Sequence, residues 1–277
     1  MTDLSIIIVS FNTKKLTIDC LKSIEGESSK LDVEVIVVDN NSSDGSREAL
    51  KNFKTDRFNY VTIFNDSNTG YAKANNQGIK EACGKYILLL NSDTLVHKNS
   101  LGTLVKFAGK NPDAGVVGPR LLNIDGSLQN SCFHFPTIKN AILEYFFSKK
   151  GLFDKYAPEG KKPQVVNALV GAAFLITPEA LKRVGFLDER YWAYFEDIDY
   201  CRQVWKKGLK VYYFPSSVIT HYHGASFKKA TSDDATRWRR LIPSSKVYHG
   251  VLGHYIINSV IWFGQKWQKL LSTSKVI

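Results

Sequence analysis

The chain has 277 residues, 44% hydrophobic and 23% charged, which excludes a disordered or fibrous protein and allows one large α/β core, alone or with a small appendage. Its 37 basic and 26 acidic residues give a formal charge of +11, favouring anionic partners such as nucleotides, diphosphates, acidic lipid surfaces or nucleic acid. The cysteines at 20, 83, 132 and 201 form no CxxC pair, so reduced thiols in a cytoplasmic setting are expected rather than a zinc ribbon or a disulfide framework.

The opening MTDLSIIIVSFN has no basic segment before its short apolar run, so a strand is expected there and not a signal peptide. Leu4 to Val9 reads as that strand, and Thr13 to Ile24 as a helix with Leu16, Cys20, Leu21 and Ile24 at helical spacing. Val33 to Val38 is a second strand, followed by a helix over 43–53 capped by Ser43 or Asp44. Tyr60 to Phe64, a helix from Ala72 to Ala82, the strand Tyr86 to Leu90, a helix from Leu101 to Gly109 and a strand from Gly115 to Gly118 continue the alternation. Such repeated βα units predict a largely parallel sheet. Beyond residue 119 the short segments 126–135 and 165–176 read as a mixed or antiparallel extension. The Lys-, Gly- and Pro-rich interval 148–163 between them reads as a mobile surface loop.

The apolar run of KYILLLNSD (85–93) stops at Asn91, Ser92 and Asp93. A strand buried on both faces delivers such a triplet at its carboxyl end, where open α/β sheets bind ligands. An aspartate there is suited to hold a divalent cation that neutralises a diphosphate; taken alone, NSD also reads as an Asx or Ser turn. The first strand ends in Ser10, Phe11 and Asn12 and the second in VVDNNSSDGS (37–46). Neighbouring strand ends of this kind can clasp a nucleoside, with Asp39 accepting hydrogen bonds, Phe11 stacking on the base and Asn41 beside them; a turn with a helix cap is the plainer alternative. Neither GxGxxG after the first strand nor GxxxxGK[ST] anywhere is present, which argues against a dinucleotide dehydrogenase and a P-loop enzyme.

NDSNTGYAKANNQGI (65–79) brings Gly70, Ala72, Ala74, Asn75 and Asn76 to a helix entry, where small residues let the backbone approach a bulky ligand. YWAYFEDIDYCRQ (191–203) sets Glu196, Asp197 and Asp199 beside Trp192, Tyr194 and other aromatics. Carboxylates among apolar rings gain basicity suited to proton abstraction, although an exposed acidic helix start has the same composition. In ITHYHGAS, His221 and His223 alternate on a strand, so at most one of them points into a shared site.

In this order, SFN, VVDNNSSDGS, NTGYAKANNQGI, LLLNSD, FEDIDYCR and HYHGAS resemble the family 2 glycosyltransferases, in particular the rhamnosyltransferase-like branch of polysaccharide and cell-wall biosynthesis. The resemblance covers about residues 4 to 226. It implies an α/β GT-A fold: a Rossmann-like, mostly parallel sheet, a mixed acceptor-side extension and C-terminal helices. The implied division is 1–118 for nucleotide, 119–226 for acceptor, and 227–277 as a basic, aromatic helical region.

The resemblance further implies an inverting, Mn2+- or Mg2+-dependent transfer from a dTDP- or UDP-sugar to a glycan or lipid-linked glycan. It assigns donor contacts to Ser10, Phe11, Asn12, Asp39, Asn41, Gly70, Asn75, Asn91, Ser92 and Asp93, and metal binding to Asp93 with His221. Asp197 becomes the general base with Glu196 as the runner-up, and Trp192, Tyr194 and Asp199 face the acceptor or, for Asp199, orient the helix. Asn91 stands where the family's acidic motif begins with a carboxylate, leaving Asp93 as the acid there.

Lys228, Lys229, Arg237, Arg239 and Arg240 precede VYHGVLGHYIINSVIWFGQKWQKLL (247–271). Its apolar centre, Tyr255 to Gly264, is short for a membrane span, so a helix lying on the inner face of a bilayer is expected, or else one packed on the domain or on a second subunit. A sugar nucleotidyltransferase and a catalytically idle carbohydrate-binding protein are the competing readings; the former lacks its glycine-rich basic loop, and the latter has no need of acids at two strand ends. No nucleic-acid-binding motif accompanies the charge.

Overall fold

The apolar runs of the first half become parallel strands. The computed structural model describes residues 2–27, 31–147, 149–222 and 234–273. In chain order it has β1 (Leu4–Ser10), α1 (Lys14–Glu25), β2 (Val33–Asp39), α2 (Ser46–Asn52), β3 (Asn59–Phe64), α3 (Tyr71–Glu81) and β4 (Tyr86–Asn91). Then follow β5 (Thr94–Val96), α4 (Ser100–Lys110) and β6 (Ala114–Leu122). Strands β3, β2, β1 and β4 lie side by side in that order, all parallel. The chain winds outward from β1 to β3 and then returns to the other side of β1. The crevice between β1 and β4 is therefore the topological switch point at which open sheets take ligands.

Successive residues of these strands feed two cores. Ile6, Ile8, Val35, Val37, Leu88 and Leu90 pack with Leu21, Leu50, Leu101 and Leu104 from α1, α2 and α4. Ile7, Ile36, Ile87 and Leu89 pack on the opposite face with Ala72 and Ile79 of α3. With both faces covered, an ionisable side chain inside the strands must be fully bonded. In the buried Glu34, Oε1 accepts three hydrogen bonds, from the Ser5 hydroxyl and from the backbone N–H groups of Cys83 and Gly84.

The second half comprises β7 (Leu128–Gln129), β8 (Cys132–Phe133), α5 (Ile138–Phe147), β9 (Gln164–Val166), β10 (Ala168–Leu169), β11 (Ala173–Ile176), α6 (Pro178–Val184), α7 (Glu196–Lys206), β12 (Lys210–His221), α8 (Asp234–His249) and α9 (Val251–Thr273). β11 inserts antiparallel between β4 and β6, and β12 lies parallel to β6 and antiparallel to β5. The extension is thus mixed, as expected, and continues the same sheet, except that β8 and β10 pair antiparallel in a small sheet of their own.

Several details differ from the expectations. The helix expected over 43–53 starts at Ser46 behind Gly45, whose φ of 84° suits glycine. Asp44 instead accepts from the N–H of Ser46 and of Lys14, tying the starts of α2 and α1 together. Helix α5 was not anticipated. The 148–163 interval is anchored at Tyr156, which exchanges backbone hydrogen bonds with Cys132 at 2.9 and 2.8 Å. His223, Lys228 and Lys229 lie outside the described residues, as do the side chains of Arg237 and Arg239. The four cysteines are free thiols, and no helix among the described residues is long and apolar enough to cross a membrane.

The two halves are joined by Asn76 on α3. Its side chain donates to the Leu187 carbonyl at 2.8 Å and accepts from the Leu187 N–H at 3.0 Å, both buried. Asn76→Ala strands that donor and acceptor and should cost about 2–4 kcal/mol, measured as a lower denaturant midpoint with unchanged m-value.

Candidate active site

Carboxyl ends of β1, β2 and β4 come together in register: Ser10 lies opposite Asp39, and Val9 opposite Asn91. Asp39 is fully buried; its Oδ1 accepts from the Ser42 N–H at 3.0 Å, while Oδ2 has no protein partner among the described residues. A buried carboxylate oxygen without a donor is costly in the protein alone and marks a place for a ligand's N–H or O–H. Asn12 adopts φ 54°, and its side-chain carbonyl accepts from the Ser43 N–H at 2.8 Å, which clasps the β1 end to the β2 end. Phe11 is half-buried at the mouth, and Asn41 is exposed with φ 70° and a hydrogen bond from Arg47.

Other expected donor contacts turn inward. Ser10 is buried in a hydroxyl cluster with Thr13 and Thr17, and Thr13 reaches Ser92 at 3.1 Å across the β1/β4 crevice. Gly70, with φ 84°, is closely approached, but by Trp192 of the same chain: a Cβ there would fall 2.5 Å from the Trp192 carbonyl oxygen. Asn75 donates to the Tyr71 carbonyl of its own helix. These side chains shape the site from behind, because helix α3 is buried on the side that the sequence reading turned toward a ligand.

Asp93 and His221 meet at the end of β4 and β12. His221 Nε2 stands 3.4 Å from Asp93 Oδ1, both residues nearly buried. Gln129 fixes the ring: its amide nitrogen donates to Asn123 Oδ1 and to the His221 carbonyl, so its Oε1 accepts from His221 Nδ1 at 2.7 Å. The other ring nitrogen, Nε2, consequently faces Asp93. A ring oriented through its far nitrogen in this way is what a metal-ligating histidine requires. Among the described residues no group of three or more His, Cys, Asp or Glu converges on one point.

Asp197 and Glu196 open α7. They follow Tyr194 and Phe195, which hold φ of 68° and 69°, a conformation that side chains other than glycine adopt at a cost and that concentrates at functional sites. Asp197 is half-buried; its Oδ2 accepts from the Gly171 N–H at 2.9 Å and its Oδ1 from the Ile198 N–H at 2.8 Å. Glu196 is buried, with Oε2 lacking a protein partner among the described residues. Burial, then the neighbouring Asp197 charge, lifts the Glu196 carboxyl well above the usual range. Burial also lifts Asp197, opposed by the Gly171 and Ile198 N–H groups and by Lys155. Asp199 does not face this space: Arg202 engages it, and Arg202 in turn lies over the Tyr248 ring of α8 at 3.9 Å. Its place is in positioning the helix rather than contacting an acceptor.

Three residues that the sequence reading missed hold the parts together. The half-buried Tyr71 donates its phenol proton to the Gly171 carbonyl at 2.8 Å, and desolvation together with the fields of Glu196, Asp197 and Asp93 holds its pKa well above ordinary. Gly171 also donates its N–H to Asp197, so one glycine links the phenol to the acidic pair. Asn40 accepts from Asn65 and Thr69 and donates to Asn68 and Gly70, organising the loop before α3. Lys155 lies over the Phe133 ring and lowers Asp197 from the 148–163 segment. The aromatic and Asn spacing around Tyr71 and Asn40 was visible; the convergence of Lys155 was not, since nothing local links it to residue 197.

A sequence profile described as Glycosyl transferase family 2 matches residues 5–181. The chain belongs to that family. It is similar to an N-acetylglucosaminyl-diphospho-decaprenol L-rhamnosyltransferase of Mycobacterium tuberculosis, 29% identical over 212 residues that make up 70% of this chain and 68% of that protein. It also resembles the low-salt glycan biosynthesis hexosyltransferase Agl10 of Haloferax volcanii, 25% identical over 76% of this chain and 64% of that one. Among solved structures, GalNAc-T7 with UDP, GalNAc and Mn2+ superposes with a TM-score of 0.62 over 80% of this chain and 44% of its own, at 18% identity. Staphylococcus aureus TarS 1-349 with UDP-GlcNAc superposes at 0.60 over 94% and 70%, at 16% identity. The fold of this glycosyltransferase is therefore GT-A, and the β1/β2/β4 crevice lies within the segment matched by the family profile.

The buried Glu196 makes a stability prediction. A carboxyl whose folded pKa is raised stabilises the fold fully below its unfolded value and loses that contribution as pH rises through the folded one. Glu196→Gln cannot ionise, so its melting temperature should fall less than wild type between pH 5 and pH 8, read by calorimetry at both values.

Proposed function

We propose that this glycosyltransferase moves a sugar from a nucleoside diphosphate, with inversion, to a hydroxyl of a lipid-linked or cell-surface glycan. Rhamnose from a dTDP- or UDP-donor is the first candidate, because the mycobacterial relative is named for rhamnosyl transfer to a diphospho-decaprenol acceptor. The observation that carries the reading is that Gly171 ties the Tyr71 hydroxyl to Asp197, its carbonyl accepting from the one and its N–H donating to the other, while the charges of Glu196 and Asp93 also act on that hydroxyl.

The nucleoside fits the β1/β2 end. Asp39 Oδ2 supplies the missing acceptor for a base or ribose donor, and Phe11 offers a half-exposed ring beside it. Asp93 and His221 are the residues that would hold a divalent cation such as Mn2+ or Mg2+, since a carboxyl oxygen and an imidazole nitrogen face each other 3.4 Å apart. Such an ion, when bound, neutralises the charge that develops on the departing diphosphate.

Inversion in a single displacement requires a base to take the acceptor proton as its oxygen attacks the anomeric carbon. Environment separates the two adjacent carboxyls into roles. Burial and its neighbour's charge lift Glu196 well above the usual range, whereas the lift that burial gives Asp197 is opposed by two backbone N–H groups and Lys155, which makes Asp197 the base. Each Asp197 oxygen accepts one backbone hydrogen bond and retains a lone-pair direction for the acceptor hydroxyl. The acceptor enters past Trp192 and Tyr194, both half-buried.

Asp197→Asn keeps size and loses basicity. It should bind donor as wild type does while kcat falls by about a hundredfold to ten-thousandfold; near-normal turnover, or the same loss from Glu196→Gln alone, would reassign the base. For the cation, Asp93→Ala should abolish metal-dependent stabilisation by UDP- and dTDP-sugars in thermal-shift assays, with His221→Ala milder. Full transfer in EDTA by wild type and by Asp93→Ala refutes the metal role.

A further inference from the structure

Helix α9 carries two apolar faces. One packs inward: Ile257 is buried, and Gly264 meets α5 so closely that a Cβ would lie 2.3 Å from Tyr145 Cβ. The other points away from the body and, among the described residues, nothing covers it. Leu252 is 74% exposed, Phe263 60% and Trp262 54%, and with Tyr255, Ile256 and Trp267 they fall on one side of the helix at spacings of three, four and seven residues. Where the helices cross, the Phe146 ring edge reaches the Gly264 position, and Phe147 at the end of α5 is 67% exposed. The unanticipated α5 thereby widens the stripe into a two-helix platform. A contiguous exposed apolar surface of this kind marks an interaction site.

Its chemistry selects one occupant. Helix α9 contains no acidic residue. Lys266 lies over the Trp262 ring at 5.6 Å, and Lys246 over the Tyr255 ring at 5.2 Å, so cations and amphipathic rings alternate on the outer side. Tryptophan, tyrosine and lysine in this arrangement suit the headgroup boundary, with rings sunk among acyl chains and ammonium groups on lipid phosphates. A second copy of the chain fits poorly, because a two-fold pairing sets basic, acid-free faces against each other. A span is excluded by the limited hydropathy of the helix. We infer that the outer face of α9, extended by α5, docks on an anionic bilayer and lies in its plane.

This goes beyond the proposed reaction and does not depend on it, yet it has a consequence for it. Helix α8, which leads into the platform, holds the aromatic loop of the site: the Ser244 hydroxyl donates to the Ala193 carbonyl at 2.6 Å, and Arg240 lies over the Trp192 ring at 4.1 Å. Docking therefore ties the acceptor side of the enzyme to the membrane surface.

The test uses the full chain and two vesicle types, phosphatidylcholine alone and an equimolar mixture with phosphatidylglycerol. Wild type should sediment with the mixed vesicles, less so as salt is added, and its tryptophan emission should shift to the blue on binding. Phe263→Ser with Trp267→Ser should lower the partition coefficient by about a hundredfold, roughly tenfold per ring, while donor-induced thermal stabilisation stays unchanged. Leu252→Ser with Ile256→Ser, at the other end of the helix, should act in the same direction. Absence of the blue shift in wild type, or equal sedimentation of the variants, overturns the inference. So does a lipid-free dimer in sedimentation velocity that Phe263→Ser with Trp267→Ser dissociates, which would make the face a subunit interface. Loss of transfer without loss of vesicle binding would count against the reaction alone.

Discussion

Strands β1, β2 and β4 are covered by helices on both faces, and this burial governs where polar chemistry can appear. Within the strands a carboxyl needs donors of its own, as Glu34 has three at Oε1. At the carboxyl ends the backbone leaves the sheet and polar side chains can gather. The winding reverses between β1 and β4, so the ends that gather are those of Ser10, Asp39 and Asn91. The hydroxyls of Ser10, Thr13, Thr17 and Ser92 close the floor of that crevice without introducing charge. Cys20 beneath it, pushed up to about 12 by burial, stays a neutral thiol.

The acidic pair depends on contacts from outside the parallel sheet. Tyr194 and Phe195 take left-handed backbone conformations that cost about 1–3 kcal/mol each, and packing must hold them there. Trp192 rests on Gly70, its carbonyl accepts from the Tyr71 N–H at 2.8 Å, and Phe195 stacks against Tyr248 and His249 of α8. Burial lowers the His249 imidazole to about 4, so that ring packs as a neutral aromatic at physiological pH. The region after residue 234 thus packs on the segment that carries Glu196 and Asp197. A glycine at position 70 serves the protein's own tryptophan, which explains why a small residue there was legible as a close approach while its partner was not.

What the sequence determined by itself was local. Apolar runs of strand length, helical spacing of leucines and the polar stops after residues 10, 39 and 91 are properties of neighbouring residues, and they placed the parallel strands and the acids at their carboxyl ends. The ordered set of motifs carried the family, because each segment alone is an ordinary turn or cap and only their succession is specific. What the tertiary structure alone decided was convergence and accessibility. That Gly171 links Tyr71 to Asp197, that Lys155 acts on residue 197, that Asn75 and Ser10 turn inward, and that α9 shows its second apolar face to the outside all depend on which distant segments pack together. Periodicity reports the faces of an element, and only packing determines which face is covered.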